Sequence, residues 1–412
     1  MINTLLLDAL QAALKGEQVA WNHSVSDAQW QALFHQANAH QVLPLVFQAI
    51  AGSSVAQHIP SQLFSEAKHS VIQQVTAQMQ KTVILVNVYQ RLQEQGIEPV
   101  VVKGAACRCL YPDPDLRVSG DEDLLIRPEE FSACHNTFLN FGLHVSDPSV
   151  DLQKDYEIPY RKKGTPLFIE LHKHLFPPES RAYGNLNRFF AASHANTVPL
   201  TVNGVTMRTL SPDDHLFYLV CHAYKHFIHC GFGIRQLCDI ALFIRHHSKE
   251  LNWTKFYDRC RQIHAESFME AILTIAQSRL GVQLDSTPWP NQWKYATIDE
   301  SALLEDILNA GIFGYSSQGR VHSSNVTLDA VADAKEGSKP KYSLRTSLFP
   351  PRRYLQKQYR FLKKYPVLLP IAWGARIIAY GKKSLSSRNN AIEALSIGKD
   401  RVALLRQYNI IS

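Results

Sequence analysis

The sequence predicts an α+β protein in which a small mixed β-sheet, residues 97–209, is flanked by helical N-terminal and C-terminal regions. Three patterns carry this reading. Apolar residues recur at helical spacing up to Gln95; short β-branched runs separated by Gly, Pro and Asn follow; helical signals resume at Ser211. Residues 1–96 read as a bundle of helices, Leu5–Leu14, Asp27–Ala39 and a long run from Ser61 to Gln95, where Phe64, Ala67, Val71 and Val75 make one stripe. No glycine loop or cysteine interrupts them, so the bundle is expected to pack or frame a site without supplying chemistry.

The sheet region opens where Gly96 closes the last helix and Pro99 leads into Val100-Val101-Val102, a buried strand ending in the turn Lys103-Gly104. A short helix, Ala105 to Leu110, and a Pro/Asp-rich loop, Tyr111 to Asp115, come next. Then Arg117-Val-Ser-Gly-Asp121-Glu-Asp123-Leu-Leu-Ile126 enters an apolar run. Strand side chains alternate faces, so Asp121 and Asp123 project one way and Leu124 and Ile126 the other. Downstream, Pro166 to His172 reads as another strand, with Glu170 and His172 on one face. If the two strands are neighbours, three acids converge, and clustered carboxylates repel unless a cation neutralises them. Mg²⁺ prefers such oxygen ligands, completed by water and nucleotide phosphates. The plainer readings are a solvated Asp-x-Asp loop, Glu170 paired with Lys162 or Lys163, and Arg117 paired with Asp113 or Asp115.

Alternating Val and Thr around Asn203-Gly204 predict a hairpin with a type I′ turn. Residues 210–312 form a helical domain that starts with Ser211 as N-cap, Pro212, and the acids Asp213 and Asp214 at the positive end of the helix dipole. His222 and His226 share a face of that first helix, which opens a zinc or iron hydrolase reading; the absence of a Glu directly after His222 weighs against it. Asp239 is placed either to orient one of these imidazoles or in an interhelical ion pair. Residues 313–347, rich in Gly, Ser, Lys and Asn, read as a linker or lid, and 348–412 as a basic helical region.

The segment Val101 to Arg127, with Lys103-Gly104, Tyr111-Pro112, Arg117, Ser119 and the Asp121-Glu-Asp123 run, resembles the uncharacterised bacterial nucleotidyltransferases of the DNA polymerase beta-like superfamily. Ile169-Glu170-Leu171-His172, and Ser211 to Asp239 with His222, Lys225 and His226, are similar to the later parts of that family. The resemblance implies transfer of a nucleoside monophosphate from a nucleoside triphosphate, with pyrophosphate release, on one or two Mg²⁺ ions. It implies Asp121, Asp123 and Glu170 as metal ligands and catalytic acids, and Lys103, Gly104, Arg117, Ser119, His172, His222, Lys225 and His226 around the nucleotide. Ala105 stands where the superfamily has the serine of a Gly-Ser turn, which keeps open a nucleotide-binding or scaffold protein without turnover. The acceptor, a small molecule, peptide or protein, is not written in these motifs.

Composition sets the remaining bounds. The chain has 412 residues, 45% hydrophobic and 19% charged, which suits two or three folded domains. Seven cysteines without a Cys-x-x-Cys pair fit a reducing cytoplasm rather than a disulfide framework. The N-terminus has no basic n-region and reads as a helix start, and Tyr365–Tyr380 is too short to span a bilayer. Charge is uneven: Lys339–Ser412 holds 16 Lys/Arg against 2 Asp/Glu, +14, which leaves −7 for the rest of a chain whose net charge is +7. That basic, aromatic-bearing tail is expected to pack on the acidic remainder or to lie on an anionic membrane at the inner face. Sequence-specific DNA binding has no motif behind it.

Overall fold

The computed structural model describes residues 2–229, 231–283, 298–310 and 318–335 and, near the C-terminus, 352–355, 359, 361–375 and 388–411. Two compact units divide the chain: Met1–Tyr224 with Phe232–Gly314, and Lys225–Gly231 with Tyr315–Ser412.

The first unit opens with four helices, α1 (Ile2–Lys15), α2 (Asp27–Ala39), α3 (Leu43–Ala51) and α4 (Ser61–Gln93). Two of the starts have a clear local cause. Gln29 Oε1 accepts from the Ser26 N–H at 2.8 Å at the head of α2, and Pro44 sits in the first turn of α3, where its missing N–H costs nothing. At 33 residues, α4 runs roughly 50 Å. Its C-terminal half buries Leu85, Val88, Tyr89 and Leu92 against the sheet.

The sheet follows in the order the periodicity predicts, with two further strands. β1 (Val100–Val101) leads through α5 (Gly104–Arg108) to β2 (Glu122–Leu125). Helix α6 (Phe131–Asn140), β3 (Leu143–Val145) and β4 (Glu157–Lys162) come before β5 (Phe168–His172), and the hairpin β6 (Thr197–Val202) and β7 (Val205–Leu210) ends the run. The seven strands lie in the order β3-β4-β5-β2-β1-β7-β6. β1–β7 and β2–β5 are parallel and the other pairs antiparallel. The hairpin turn has positive φ at both central residues, 46° at Asn203 and 79° at Gly204, the type I′ geometry that matches strand twist.

One face of this sheet is core. Leu124 and Ile126, Ile158 and Tyr160, and Ile169 and Leu171 meet α4 and the Phe131, Cys134 and Phe138 side of α6. Burying each such side chain contributes about 1.5–3 kcal/mol. Alternation then sends the odd-numbered residues of β2 to the other face.

Beyond the hairpin, α7 (Pro212–His229) starts where Ser211 Oγ accepts from the Asp214 N–H at 3.4 Å. It is followed by α8 (Ile234–His247), α9 (Trp253–Gln262) and α10 (Glu266–Leu280), then by a helix at Ser301–Ala310. Gly281, at φ 63°, ends α10 in the left-handed conformation that glycine adopts at least cost. The last turn of α7 belongs to the second unit.

In that unit a helix spans Gln318–Lys335 and packs on another at Arg388–Gln407. Within the linker or lid expected at 313–347, residues 318–335 are therefore helical, and 313–317 and 336–347 lie outside the described residues. Thr327, Ala330, Val331 and Ala332 are buried, Thr327 Oγ1 donates to the Ile228 carbonyl, and tertiary burial of one face overrides weak helix propensity. A small apolar cluster joins Leu355, Leu362 and Ala372. Among the described residues no helix is long and apolar enough to cross a membrane.

Candidate active site

The side of the sheet away from α4 carries the acid cluster, and strand register sets it. In the parallel β2–β5 pair, Asp123 faces Glu170 and Leu125 faces His172, so Asp123, Glu170 and His172 leave the sheet on one side. Candidate ligand atoms of these three residues lie within 4.8 Å of one another. Asp123 Oδ1 is 3.1 Å from His172 Nε2, which is 3.7 Å from Glu170 Oε2. Glu157, opposite His172 on β4, places Oε2 3.8 Å from His172 Nδ1. From the turn between β1 and α5, Lys103 Nζ reaches to 3.1 Å from Asp123 Oδ2 and donates to His222 Nε2, on α7, at 3.1 Å.

These charges shape each other. Burial pushes Asp123 up, but Lys103 and His172 more than reverse it and hold the carboxyl well below its usual range. His172 is pulled down by burial and then raised to about 10 by its bonds to Asp123 and Glu170. Glu170 rises, first through burial and then through repulsion from Asp123, Glu157 and Asp121, with His172 opposing. The Lys103 ammonium, despite its burial, is held protonated by Asp123 and Asp121. The result is a proton-rich acid cluster, in which Asp123 stays ionised and Glu170 is the better proton acceptor.

Asp121 stands just before β2, half-buried and close enough to bias Lys103 and Glu170. It is outside the close group of three, whose third member is His172. Gly104, at φ 42°, is needed twice over: the left-handed backbone favours glycine, and a Cβ there would run into the Glu122 carboxylate. That carboxylate belongs to the core face. It accepts from Arg108 Nη1 at 2.6 Å, Ser119 Oγ at 3.0 Å and the Ala105 N–H at 2.9 Å.

Two residues expected at the phosphates are engaged elsewhere, Ser119 in this core-face network and Arg117 by Asp239. Arg117 is buried and bound by Asp239, with Nη2–Oδ2 at 2.5 Å and Nε–Oδ1 at 3.1 Å, and Tyr111 Oη donates to the same carboxylate at 2.8 Å. Among the described residues its carboxylate partner is Asp239 rather than Asp113 or Asp115; a planar guanidinium matches a carboxylate two bonds at a time, and α8 supplies one. Ser119 is buried between Arg108, Gln78 and Glu122. Lys225 and His226 are half-buried in the α7 turn that belongs to the second unit. Neither His222 nor His226 joins a group of three ligands among the described residues.

Sequence reasoning missed Glu157, because Pro159 disguises β4 as a non-strand. It also missed Tyr218, buried one turn before His222 and within electrostatic range of Lys103 and Asp123, and Gln236, whose Nε2 is 3.4 Å from His222 Nδ1. Nothing in the spacing of 78, 81 and 82 on α4 announces that Gln78 holds Ser119 and that Lys81 donates to its carbonyl.

With Glu157 and Asp121 nearby, the cluster brings four carboxylates against the cationic Lys103 and His172, a donor set that fits a divalent cation once the His172 imidazolium gives up its proton. Asp123 Oδ2 is buried and, among the described residues, makes no hydrogen bond of good geometry. A surface depression of about 730 Å³ elsewhere in the unit, lined by Phe189, Asn252, Lys255 and Arg259, takes no residue from this cluster. No curated protein and no solved structure matches the chain. A family model does match, over residues 26–281, which covers the α2–α4 bundle, the whole sheet and helices α5 to α10. With its acid pair fixed by strand register inside that span, the chain belongs to the uncharacterised nucleotidyltransferase family.

Proposed function

We propose that the chain transfers a nucleoside monophosphate from a nucleoside triphosphate to an acceptor and releases pyrophosphate. The observation that carries this reading is the Asp123–Glu170 pairing across β2 and β5 in a member of a nucleotidyltransferase family. Asp123, Glu170 and His172 are the residues to hold the divalent cation, assigned as Mg²⁺, and Asp121, presented by the preceding loop, would extend the site toward a second ion. When bound, the cation neutralises charge on the phosphates.

The chain's own residues do the rest. Glu170, the third acid of the cluster, takes the proton of the acceptor as its oxygen or nitrogen bonds to the α-phosphorus. The bond from that phosphorus to the bridging oxygen breaks, and pyrophosphate leaves. Lys103 counters phosphate charge, with His222 fixing its direction. Gly104 allows close approach of the backbone, although the Ala105 N–H is already committed to Glu122.

Incubation with each α-³²P-labelled triphosphate, Mg²⁺ and cell extract tests the reading. Label transfer by the wild type and a loss of at least roughly 100-fold in Asp123→Asn are expected, because the replacement removes the ionised ligand. The variant should still fold, since Asp121, Glu157 and Glu170 continue to balance Lys103 and His172. Transfer retained in Asp123→Asn sinks the assignment. Nucleotide binding without transfer by the wild type would leave a silent binding protein.

For localisation, we infer peripheral contact with an anionic membrane through the basic C-terminal region. Tyr365, Val367 and Ile371 are exposed there, Val367 to 87%, in a stretch of strong positive charge. Co-sedimentation with phosphatidylserine vesicles that survives with neutral phosphatidylcholine vesicles, or that persists in Val367→Asp/Ile371→Asp, would argue against it.

A further inference from the structure

The geometry points to Lys103 as an internal counter-ion that keeps a divalent cation off Asp123 until a polyphosphate draws the ammonium away, so that metal and nucleotide enter this site together. This inference rests on the nucleotidyl-transfer reading and adds an order to its binding steps.

Asp123 is the most enclosed member of the cluster, 1% exposed, and both its oxygens already face cationic groups: Oδ1 the imidazole of His172 and Oδ2 the ammonium of Lys103, each at 3.1 Å. A divalent ion must share this carboxylate with two cations unless one of them withdraws, and their repulsion opposes its entry. His172 has little freedom to do so. Its ring is bracketed by Asp123, Glu170 and Glu157 on three adjacent strands, and it is itself a candidate ligand. Lys103 has one other hydrogen bond among the described residues, to His222 Nε2 at 3.1 Å, and is otherwise freer. It sits in a turn, ends a flexible four-carbon stem, and retains 14% exposure.

Two further observations single out Lys103 as a stand-in rather than a permanent partner. Asp123 Oδ2 makes no hydrogen bond of good geometry among the described residues although Nζ is close, so the contact is one of charge more than of fit. In the adjoining turn the Ala105 N–H is not available to a phosphate, since it donates to Glu122 Oε2 at 2.9 Å. The ammonium is thus the group beside Asp123 that can follow an arriving phosphate. Its departure exposes Oδ2 to the ion that the same polyphosphate carries, and charge is exchanged rather than stripped.

The test is the affinity of the full chain for Mn²⁺ alone, without nucleotide, read from the electron paramagnetic resonance signal of the free ion. Wild type and Lys103→Arg should bind weakly, and Lys103→Met at least about tenfold more tightly, at a single site abolished by adding Asp123→Asn. Lys103→Met that folds, by circular dichroism, and binds Mn²⁺ no better than wild type overturns the inference. Should Lys103→Met not fold, the ¹⁵Nζ resonance of Lys103 in the wild type, assigned with Lys103→Arg, decides. It should stay put with Mg²⁺ alone and shift when Mg²⁺ and a non-hydrolysable α,β-methylene triphosphate are added together. A shift with Mg²⁺ alone, or none with both although the analogue binds, equally overturns it. Failure of the parent reading looks different: the analogue with Mg²⁺ does not bind and no label is transferred, whatever Lys103→Met does with Mn²⁺.

Discussion

At the residue scale, consecutive side chains on β2 do opposite things. Asp123 faces the cluster and Glu122, one residue earlier, is buried on the core face with Arg108, Ser119 and the Ala105 N–H. Glu122→Gln should therefore act on stability, because it leaves the buried Arg108 without its counter-charge. A loss of about 3–5 kcal/mol, read as a lower urea midpoint, is expected. Gly104→Ala carries the same signature, with a cost of at least roughly 1–2 kcal/mol from the left-handed backbone alone and more from the displaced Glu122 carboxylate. An unchanged midpoint in both variants would show that the carboxylate does not hold the turn. Arg117 teaches the same lesson from the other side: a cation four residues before an acidic strand looks like a phosphate ligand until its partner Asp239, far away in sequence, is seen.

At the element scale, the site depends on β2 lying between β1 and β5. The β1–α5 turn brings Lys103, β2 brings Asp123, and β5 brings Glu170 and His172. A one-residue slip of β2 would send Glu122 to the cluster and bury Asp123 among Leu85 and Val88, so register and chemistry are one constraint. The β6–β7 hairpin supports β1 through the parallel β1–β7 pair. Gly204→Val puts a β-branched residue at φ 79° and should lower stability by about 1–2 kcal/mol, detectable by thermal unfolding. Ser211→Ala, which removes the acceptor for the Asp214 N–H, should cost about 1 kcal/mol.

For the molecule as a whole, acid is the expected weakness of the fold. His215 is buried and its pKa is lowered to about 4, first by desolvation. Its Nδ1 lies 3.3 Å from Thr209 Oγ1, which itself donates to the Val101 carbonyl at 2.6 Å, while Nε2 is buried and, among the described residues, has no hydrogen-bond partner. His40 is lowered in the same direction, with Nε2 3.1 Å from the Leu308 carbonyl. The native state therefore holds these imidazoles neutral, whereas the unfolded chain protonates them near pH 6.5. Their contribution is complete above about pH 6.5 and is lost as pH falls toward the folded values. Unfolding free energy should drop by roughly 2–3 kcal/mol from His215 alone between about pH 7.5 and pH 4.5. His215→Asn, which cannot ionise, should flatten that slope; a slope equal to wild type would refute the assignment.

The sequence by itself determined the α+β class, the hairpin at Asn203-Gly204, the start of α7 and the acidic strand, because each rests on local rules: alternation, helical period, turn chemistry and capping. It also marked Asp123, Glu170 and His172, since alternation fixes which side chains share a face of a strand. It did not reveal that β2 and β5 are neighbours, that His172 rather than Asp121 completes the close group, that Arg117 and Ser119 turn into the core, or that 318–335 is helical. Those outcomes were left to tertiary structure, because pairing and burial depend on partners contributed by α4, α7, α8 and β4, and distance along the chain carries no information about which charge a buried charge will meet.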